Sequence, residues 1–303
     1  MSTSLSRLAI LTVALTAAAE AAHAGAFHQQ VAANPHGQVD ISNISGTIDI
    51  RGWDEPTVSV SADLPGGNER VVVKSSDGRT RVCVTNGAPS CDGWSGSGRM
   101  RSVRLVVQAP RDSEIDAAGV SADIRSRGIA GTQHLHTVSG DIEAELGAGT
   151  DDVNSVSGRI QLRGSGEDGT LHVANVSGNL SITNVSGELE ARTVDGTLTA
   201  QLTRARLVRL DTTSGEIGLT ARLARGGRIE AATVSGDQTL HLLAPAGYSY
   251  SVRTFSGDIS DCFGQQPQRS GYGPGSRLEG TRGAGSGHVR IKTLSGDVSL
   301  CDH

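Results

Sequence analysis

The sequence predicts an all-β protein, a β-solenoid of stacked 18–21-residue coils, and three observations carry that prediction. First, the stretch Asn175 to Gln201 reads NVSGNLSIT, NVSGELEAR and TVDGTLTAQ, three nine-residue units without a gap. Second, related Ser-Gly corners recur from Ser45 to Gly296, most of them 18 to 21 residues apart. Third, apolar and polar residues alternate on both sides of each corner, which is the period of a β-strand. Aromatic residues make up only 3% of the chain, which favours a narrow aliphatic core.

Residues 1–24 are predicted to be a secretory signal peptide. Arg7 precedes an apolar run, Leu8 to Ala19, that is too short to span a bilayer, and Ala22-His23-Ala24 fits a cleavage site. We therefore expect an exported protein, periplasmic or on the cell surface, with no transmembrane segment in the mature chain.

Residues 25–37 are expected to be flexible, and residues 38–110 to form an N-terminal β region. Gln38 to Ile50 is one strand–corner–strand unit. Four alternating runs follow, separated by turn residues such as Pro65-Gly66-Gly67, and predict an antiparallel β meander. These runs are Val58–Leu64, Val71–Lys74, Arg81–Val84 and Val103–Val107.

Residues 111–303 are predicted to be the repeat region, and alignment on the corner serines gives three apolar columns that we expect to point inward. The column four residues before the corner contains Leu135, Val153, Val173, Leu210, Ala231, Val252 and Ile291. The column one residue before it contains Val138, Val156, Val176, Val185, Val194, Val234, Phe255 and Leu294. The column three residues after it contains Ile142, Ile160, Leu180, Leu189, Leu198, Ile217, Ile259 and Val298.

Other positions of the repeat carry two further expectations. Thr or Asn recurs two residues before the corner, where stacked side chains can form hydrogen-bonded ladders. Gln238 interrupts the last apolar column, so a bulge or a slip is expected there.

The segment 264–287 is a Gly-rich insertion between two corners. Its composition is typical of a mobile surface loop, and such loops on rigid scaffolds often bind ligands.

The four cysteines predict two disulfide bonds in an oxidising compartment. Cys83–Cys91 would close a short loop. Cys262 and Cys301 each lie five residues after a corner glycine, so they occupy the same position on neighbouring coils, where the strand spacing suits a disulfide. That bond would clip the terminal coil, which is expected to have a neighbour on one side only.

The repeated TVSGDI-like units and the entry segment VRLVVQAPRDSEIDAAGVSADI, residues 103–124, resemble the bacterial "putative adhesin" domain family. The resemblance covers roughly residues 36 to 303. It implies a secreted or envelope-facing protein built of β-strand repeats, and it carries over no catalytic residue.

Two sets of side chains are candidates for a metal site. Asp237, Asp258 and Asp297 follow corner glycines and would stack on consecutive coils as a carboxylate column able to bind Ca²⁺. His134, Asp152 and His172 share one outward position on three consecutive coils, a two-histidine, one-carboxylate set. Solvated surface positions explain both sets more simply, so we predict no metal and no cofactor.

The chain is therefore predicted to be a non-catalytic, adhesin-like binding or scaffold protein, whose partner is a protein or a polysaccharide of the cell envelope. The net charge of −5 gives no support for nucleic-acid binding. One alternative is a carbohydrate-active β-solenoid lyase or hydrolase, although the paired acids Asp151-Asp152 and Glu167-Asp168 look like loop or strand-end residues. A groove with three or more acids, or acids with arginine, would favour that enzyme. The other alternative is a periplasmic accessory protein in envelope-stress signalling.

Overall fold

The computed structural model describes residues 25–91, 100–269 and 274–302. Every regular element in these three ranges is a β-strand, so the all-β prediction is confirmed. The predicted signal peptide, 1–24, lies outside the described residues. Within them, no helix has the length and hydropathy needed to cross a membrane.

Several strands end at a corner serine, whereas the longest strands continue through a bend, either at a corner or at the opposite edge of the repeat. The first eleven are β1 Gly25–Ala32, β2 Gln38–Trp53, β3 Thr57–Leu64, β4 Glu69–Ser76, β5 Arg79–Asn86, β6 Val103–Pro110, β7 Glu114–Arg127, β8 Gln133–Ser139, β9 Ile142–Leu146, β10 Thr150–Ser157 and β11 Ile160–Gly164. The others are β12 Asp168–Ser177, β13 Leu180–Asp195, β14 Leu198–Ser214, β15 Ile217–Ser235, β16 Gln238–Leu243, β17 Tyr248–Ser256, β18 Ile259–Asp261, β19 Gln268–Arg269, β20 Ser276–Arg282, β21 Gly287–Ser295 and β22 Val298–Asp302.

Successive repeats stack as rungs, and each rung contributes one strand to each of two flanks. The first flank has the order β4, β5, β2, β7, β8, β10, β12, β13, β14, β15, β21, β17, β20, and the second has the order β1, β3, β6, β2, β7, β9, β11, β13, β14, β15, β16, β22, β18. Pairing between the repeat rungs is parallel, and the corner serines lie opposite one another. Each long strand belongs to both flanks because it bends, β2 and β7 at a corner and β13, β14 and β15 at the opposite edge of the rung.

The nine-residue units in the middle of the chain are half-rungs. Ser186 and Gly187 do not stack on the corners of the other serines. They pair with Asp168 and Gly169 at the opposite edge of the rung. One nine-residue step therefore carries the chain from one edge to the other.

The C-terminal rung is inserted between two earlier ones. Thr293 of β21 pairs with Thr233 of β15 on one side and with Thr254 of β17 on the other. The expectation that Cys301 lies on a terminal coil is therefore wrong, because the outer rung is that of β17 and β18. The structure still places Cys262 and Cys301 on neighbouring rungs as a disulfide, with their Cα atoms 5.0 Å apart. The second disulfide joins Cys83 to Cys91 with a Cα separation of 5.8 Å.

The N-terminal β region is not a meander. The strands β4 and β5 form an antiparallel hairpin, and β5 then pairs in parallel with β2 on the first flank. The strands β3 and β6 pair antiparallel on the second flank, beside β1. The four predicted runs are strands, but they are divided between the two flanks. At this end of the stack, each flank has a strand edge that further strands must pair with.

The Gly-rich insertion is not a loop throughout its described part. Residues Ser276–Arg282 form β20, which pairs antiparallel with β17 along seven residues, and Leu278 is buried. The insertion therefore covers the outer edge of the first flank, which would otherwise leave a row of backbone groups unpaired.

Each corner glycine is required by the rung stacked against it. A Cβ atom added to Gly236 would lie 2.1 Å from the carbonyl oxygen of Gly215, and one added to Gly296 would lie 2.2 Å from that of Gly236. Both glycines also have positive φ, 141° and 138°, which a side chain resists. These two corners therefore admit no other residue without displacing backbone, although the corner opposite Gly46 carries Ala122 in place of glycine.

Two of the three predicted apolar columns are buried, and the third is wrong. The columns four before and three after the corner are buried along their length, but Val176 in the column one before the corner is 46% exposed. Side chains alternate between faces with a period of two, so positions four and two before the corner point inward and position one before it points outward. The inward Thr and Asn at position two fit that parity, and Asn175, for example, donates to the carbonyl oxygens of Gly158 and Gly178. Val185 is buried because its corner lies at the opposite edge.

Gln238 causes no slip. It pairs in register with Ile217 and Val298, and its fully buried side chain donates to the carbonyl oxygen of Lys292 at 2.7 Å. A buried amide is tolerated because the interior Thr row and the backbone supply partners.

The parity of the strands predicts opposite effects for two nearby substitutions. Val173→Asp, at a position only 3% exposed, would bury an unpaired carboxylate and should lower the free energy of unfolding by about 3 kcal/mol or more. Val176→Asp should change it by less than about 1 kcal/mol, because this side chain faces solvent. Urea unfolding of both variants measures the difference, and equal losses would contradict the assignment of faces.

Candidate functional surfaces

The most extended apolar surface runs along the corner. Seven of the exposed large apolar side chains belong to the column one residue before the corner, and we call these residues the apolar ridge. Its members are Val138, Val156, Val176, Val194, Val234, Phe255 and Leu294, each 45–54% exposed. The row is interrupted at Thr213 on β14, between Val194 and Val234. Exposed apolar side chains are ordinary when scattered, but a row of them on stacked rungs is a candidate interaction surface.

A shallow concavity of about 220 Å³ lies beside the N-terminal half of the ridge. Val138, Val156 and Val176 form one side of it, and His136 and Asn154 form another part of its lining. The ridge therefore has a recess beside it that a partner's side chain could enter.

The acidic column beside the corner caps backbone N–H groups of neighbouring rungs. The N–H of Asp297 donates to Oδ1 of Asp237 at 2.8 Å, and the N–H of Asp258 donates to Oδ1 of Asp297 at 2.8 Å. The stacking order is therefore Asp237, Asp297, Asp258, and not the order along the chain. The carboxylates of Asp237 and Asp297 each stabilise the next corner, as Asp141 also does for the N–H of Arg159.

His134, Asp152 and His172 do lie side by side on three neighbouring strands of the first flank. The outer two face carboxylates of the adjoining rungs, because His134 lies 4.0 Å from Glu114 and His172 lies 3.5 Å from Glu190. Asp152 accepts a hydrogen bond from Asn154. Across the described residues, no group of three or more His, Cys, Asp or Glu side chains is placed to hold a metal ion.

The outer face of the first flank carries charges that alternate from strand to strand. In the row five residues before the corner, Glu190 lies beside Arg209, Arg209 beside Glu230, and Glu230 beside Arg290. Arg209 and Glu230 form an ion pair at 3.3 Å. Opposite charges on neighbouring strands stabilise a sheet modestly when exposed.

An open concavity of about 610 Å³ lies at the C-terminal end of this face. Its lining combines acids with arginines, among them Glu230, Glu279, Arg228, Arg253 and Arg290. This is the combination that would favour a carbohydrate-active enzyme. However, hydrogen bonds from Arg277, and then from Ser251, lower the pKa of Glu279 to about 2. A glycosidase needs one carboxylic acid that keeps its proton near neutral pH, and Glu279 is shifted in the opposite direction.

Asp151 is a buried carboxyl group at the start of β10, where the sequence analysis predicted a loop or strand-end residue and did not predict burial. Its side chain points inward and is 3% exposed, whereas its neighbour Asp152 points outward. Burial raises the pKa of Asp151 to about 6, opposed by the hydrogen bond it accepts from the N–H of Gln133 at 2.9 Å and by His134. The alternating parity of the strand was the available signal, because Asp151 lies two residues before the inward Val153.

Comparisons with known proteins identify one family and several solved structures of low sequence identity. A family model described as Toastrack DUF4097 matches residues 36–301, which confirms the resemblance predicted from the repeats. A search of curated proteins finds no match.

Solved structures similar to the chain include three bacterial proteins. A "putative adhesin" from Bacteroides fragilis is 12% identical, with 93% of this chain and 99% of that chain covered and a TM-score of 0.36. A "putative cell adhesion protein" from Clostridium sporogenes is 10% identical, with coverages of 92% and 100% and a TM-score of 0.19. A "putative lipid binding protein" from Parabacteroides distasonis is 11% identical, with coverages of 92% and 96% and a TM-score of 0.32.

The raised pKa of Asp151 predicts a pH-dependent cost to stability. Between its unfolded value near 3.8 and about 6, the unfolded chain loses the proton first, so stability falls as pH rises through this window. Asp151→Asn removes the charge but keeps an oxygen that can accept from Gln133. The variant should therefore exceed the wild type by up to about 3 kcal/mol at pH 7.5.

The same variant should lose that advantage at pH 4, where Asp151 is protonated in the folded wild type. Thermal melts of both proteins across pH 4 to 7.5 check this. A constant gap between the two curves would show that Asp151 does not titrate in this window.

Proposed function

The chain belongs to the Toastrack DUF4097 family, and we propose that it is an exported, envelope-associated binding or scaffold protein without catalytic activity. The observation that carries this proposal is the apolar ridge, which offers a partner a row of half-exposed apolar side chains on stacked rungs, interrupted at Thr213. The rung spacing of about 4.8 Å gives the ridge a length of roughly 35 Å. A flat or extended partner fits such a surface better than a small molecule does.

Export is supported by two features of the chain. Residues 1–24 have the charge, apolar run and cleavage pattern of a signal peptide. All four cysteines are paired at disulfide distance, and disulfides form and persist in oxidising compartments. The proposed domain organisation has an N-terminal β region at 38–110 and the repeat region at 111–303. The expectation of a flexible segment at 25–37 is wrong for Gly25–Ala32, which form β1 and pair with β3.

The side chains of the apolar ridge are available to a partner because they do not pack in the core. The interior is filled by the columns on the opposite face of the same strands, where Val173 and Leu180 are buried. Ser or Thr at the ridge positions would satisfy the strand equally well. Apolar side chains there add free energy only when a partner covers them.

Replacing ridge residues should weaken binding to the envelope without unfolding the protein. The variant Val176→Ser with Val194→Ser should lose about tenfold in binding, since two half-exposed valines are removed from the contact. The matched control is Leu207→Ser with Leu243→Ser, which removes two exposed apolar side chains outside the ridge. Co-sedimentation with an envelope fraction measures binding, and thermal melts show that the variants fold.

Equal binding of the envelope fraction by the wild type and the ridge variant would show that the apolar ridge is not the binding surface. Subcellular fractionation with protease added to intact cells tests the location. Recovery of the protein in the cytoplasm with its cysteines reduced would contradict export altogether.

A further inference from the structure

The alternating charges on the outer face of the first flank stop at β21. In the row three residues before the corner, Arg192 lies beside Asp211, but Lys292 lies beside Arg253 and Arg253 beside Arg277. Three cations therefore stand on three neighbouring strands, an arrangement that destabilises a sheet unless something neutralises it.

The chain itself supplies little of that neutralisation. Arg253 and Arg277 share one carboxylate, that of Glu279. Arg290 and Lys292 form no ion pair with any residue in the described ranges. The five cations Arg228, Arg253, Arg277, Arg290 and Lys292, which we call the basic patch, exceed the two carboxylates among them, Glu230 and Glu279, by three, although the whole chain carries −5.

The open concavity of about 610 Å³ described above lies on this patch. Besides the charged side chains, it exposes polar groups of Ser249, Ser251, Thr281 and His288. Ser249 and His288 are within 2.8 Å of each other through Oγ and Nδ1. Hydroxyl and imidazole groups beside guanidinium groups suit a ligand that carries both hydroxyls and negative charges.

We propose that the basic patch binds an acidic polysaccharide, and this inference rests on the proposed function as a non-catalytic envelope-binding protein. The cations are distributed over β15, β21, β17 and β20, a width of about 14 Å at the usual strand spacing. They do not converge on one point, as a site for a single small anion would require. A linear polymer with an anionic group at each unit can pair with several of them, and guanidinium groups bind carboxylates in a bidentate manner.

The surroundings of the patch favour a polysaccharide over a lipid surface. Phe255 and Leu294 of the apolar ridge border the patch and could insert between lipids. However, Asp258 and Asp297 follow them at the corner, so insertion would press these carboxylates against anionic headgroups. A polymer lying on the flat face avoids the corner acids, and Phe255 can still cover a sugar ring.

The probe is polygalacturonate, which carries a carboxylate on each sugar, with dextran as the uncharged control polymer. The test variant is Arg290→Gln with Lys292→Gln, which removes the two cations of the basic patch that form no ion pair with any described residue. The matched control is Arg163→Gln with Arg222→Gln, two exposed cations on the second flank. Both double variants lower the net charge by the same amount, so a general charge effect would weaken both equally. All proteins keep the rest of the chain intact, and binding is followed by biolayer interferometry at two salt concentrations.

The wild type should bind polygalacturonate and not dextran, and binding should weaken as salt rises because exposed charges are screened. The test variant should lose about tenfold, whereas the control variant should stay within about twofold of the wild type. Equal losses in both double variants would overturn the proposal. Equal affinity for double-stranded DNA, or tighter binding to vesicles that contain phosphatidylglycerol, would also overturn it.

The two proposals fail separately. The ridge variant Val176→Ser with Val194→Ser should bind polygalacturonate as the wild type does. If the wild type does not bind the polymer but still sediments with the envelope through its ridge, only the polysaccharide inference is wrong. If polymer binding holds and envelope binding does not depend on the ridge, the proposed role of the ridge is wrong.

Discussion

The contact between stacked corner glycines is the constraint on which the rest of the structure depends. The N–H of Gly236 donates to the carbonyl oxygen of Ser295, and the N–H of Gly296 donates to that of Ser256. The same glycines approach the neighbouring backbone so closely that a Cβ atom has no room. Each corner is therefore aligned on the next to within one residue, and a slip of one residue would turn every side chain to the other face.

That alignment explains which parts of the fold can be predicted from the sequence. Val173 and Leu180 lie at fixed distances from the corner and were assigned correctly to the core. Val176 was not, because a valine next to a turn is as apolar as one in the core and only the parity of the strand distinguishes them. The Thr and Asn residues two positions before the corner indicate the parity of the strand. Their polar side chains can point inward because backbone groups of the corner supply hydrogen-bond partners, and the residue that follows them, one before the corner, must then point outward.

The order of the rungs is a second property that the sequence does not reveal. Repeats of one pattern can stack in any order that their connections allow, and the 39 residues between Cys262 and Cys301 suit both an appended and an inserted rung. The spacing of Cys262 and Cys301 therefore predicts correctly that they lie on neighbouring rungs, but it does not predict which of the two rungs is at the end of the stack. The candidate sites share this limit. The sequence aligns the acids of the corner column, but the order of the rungs decides that Asp237 accepts the N–H of Asp297 and that Asp297 accepts the N–H of Asp258.

Insertion of the last rung also creates the surface chemistry at that end of the molecule. Without β21, Ala232 and Arg253 would lie on unconnected strands, and no row of cations would exist. With it, Lys292 fills the gap between them, and the hydroxyl of Thr233 donates to that of Thr293 at 2.9 Å in the interior of the same rung. The C-terminal rung therefore completes both the core and the basic patch in one step, and the disulfide between Cys262 and Cys301 ties this inserted rung to the outer one, holding the cations of β17 and β21 side by side despite their repulsion.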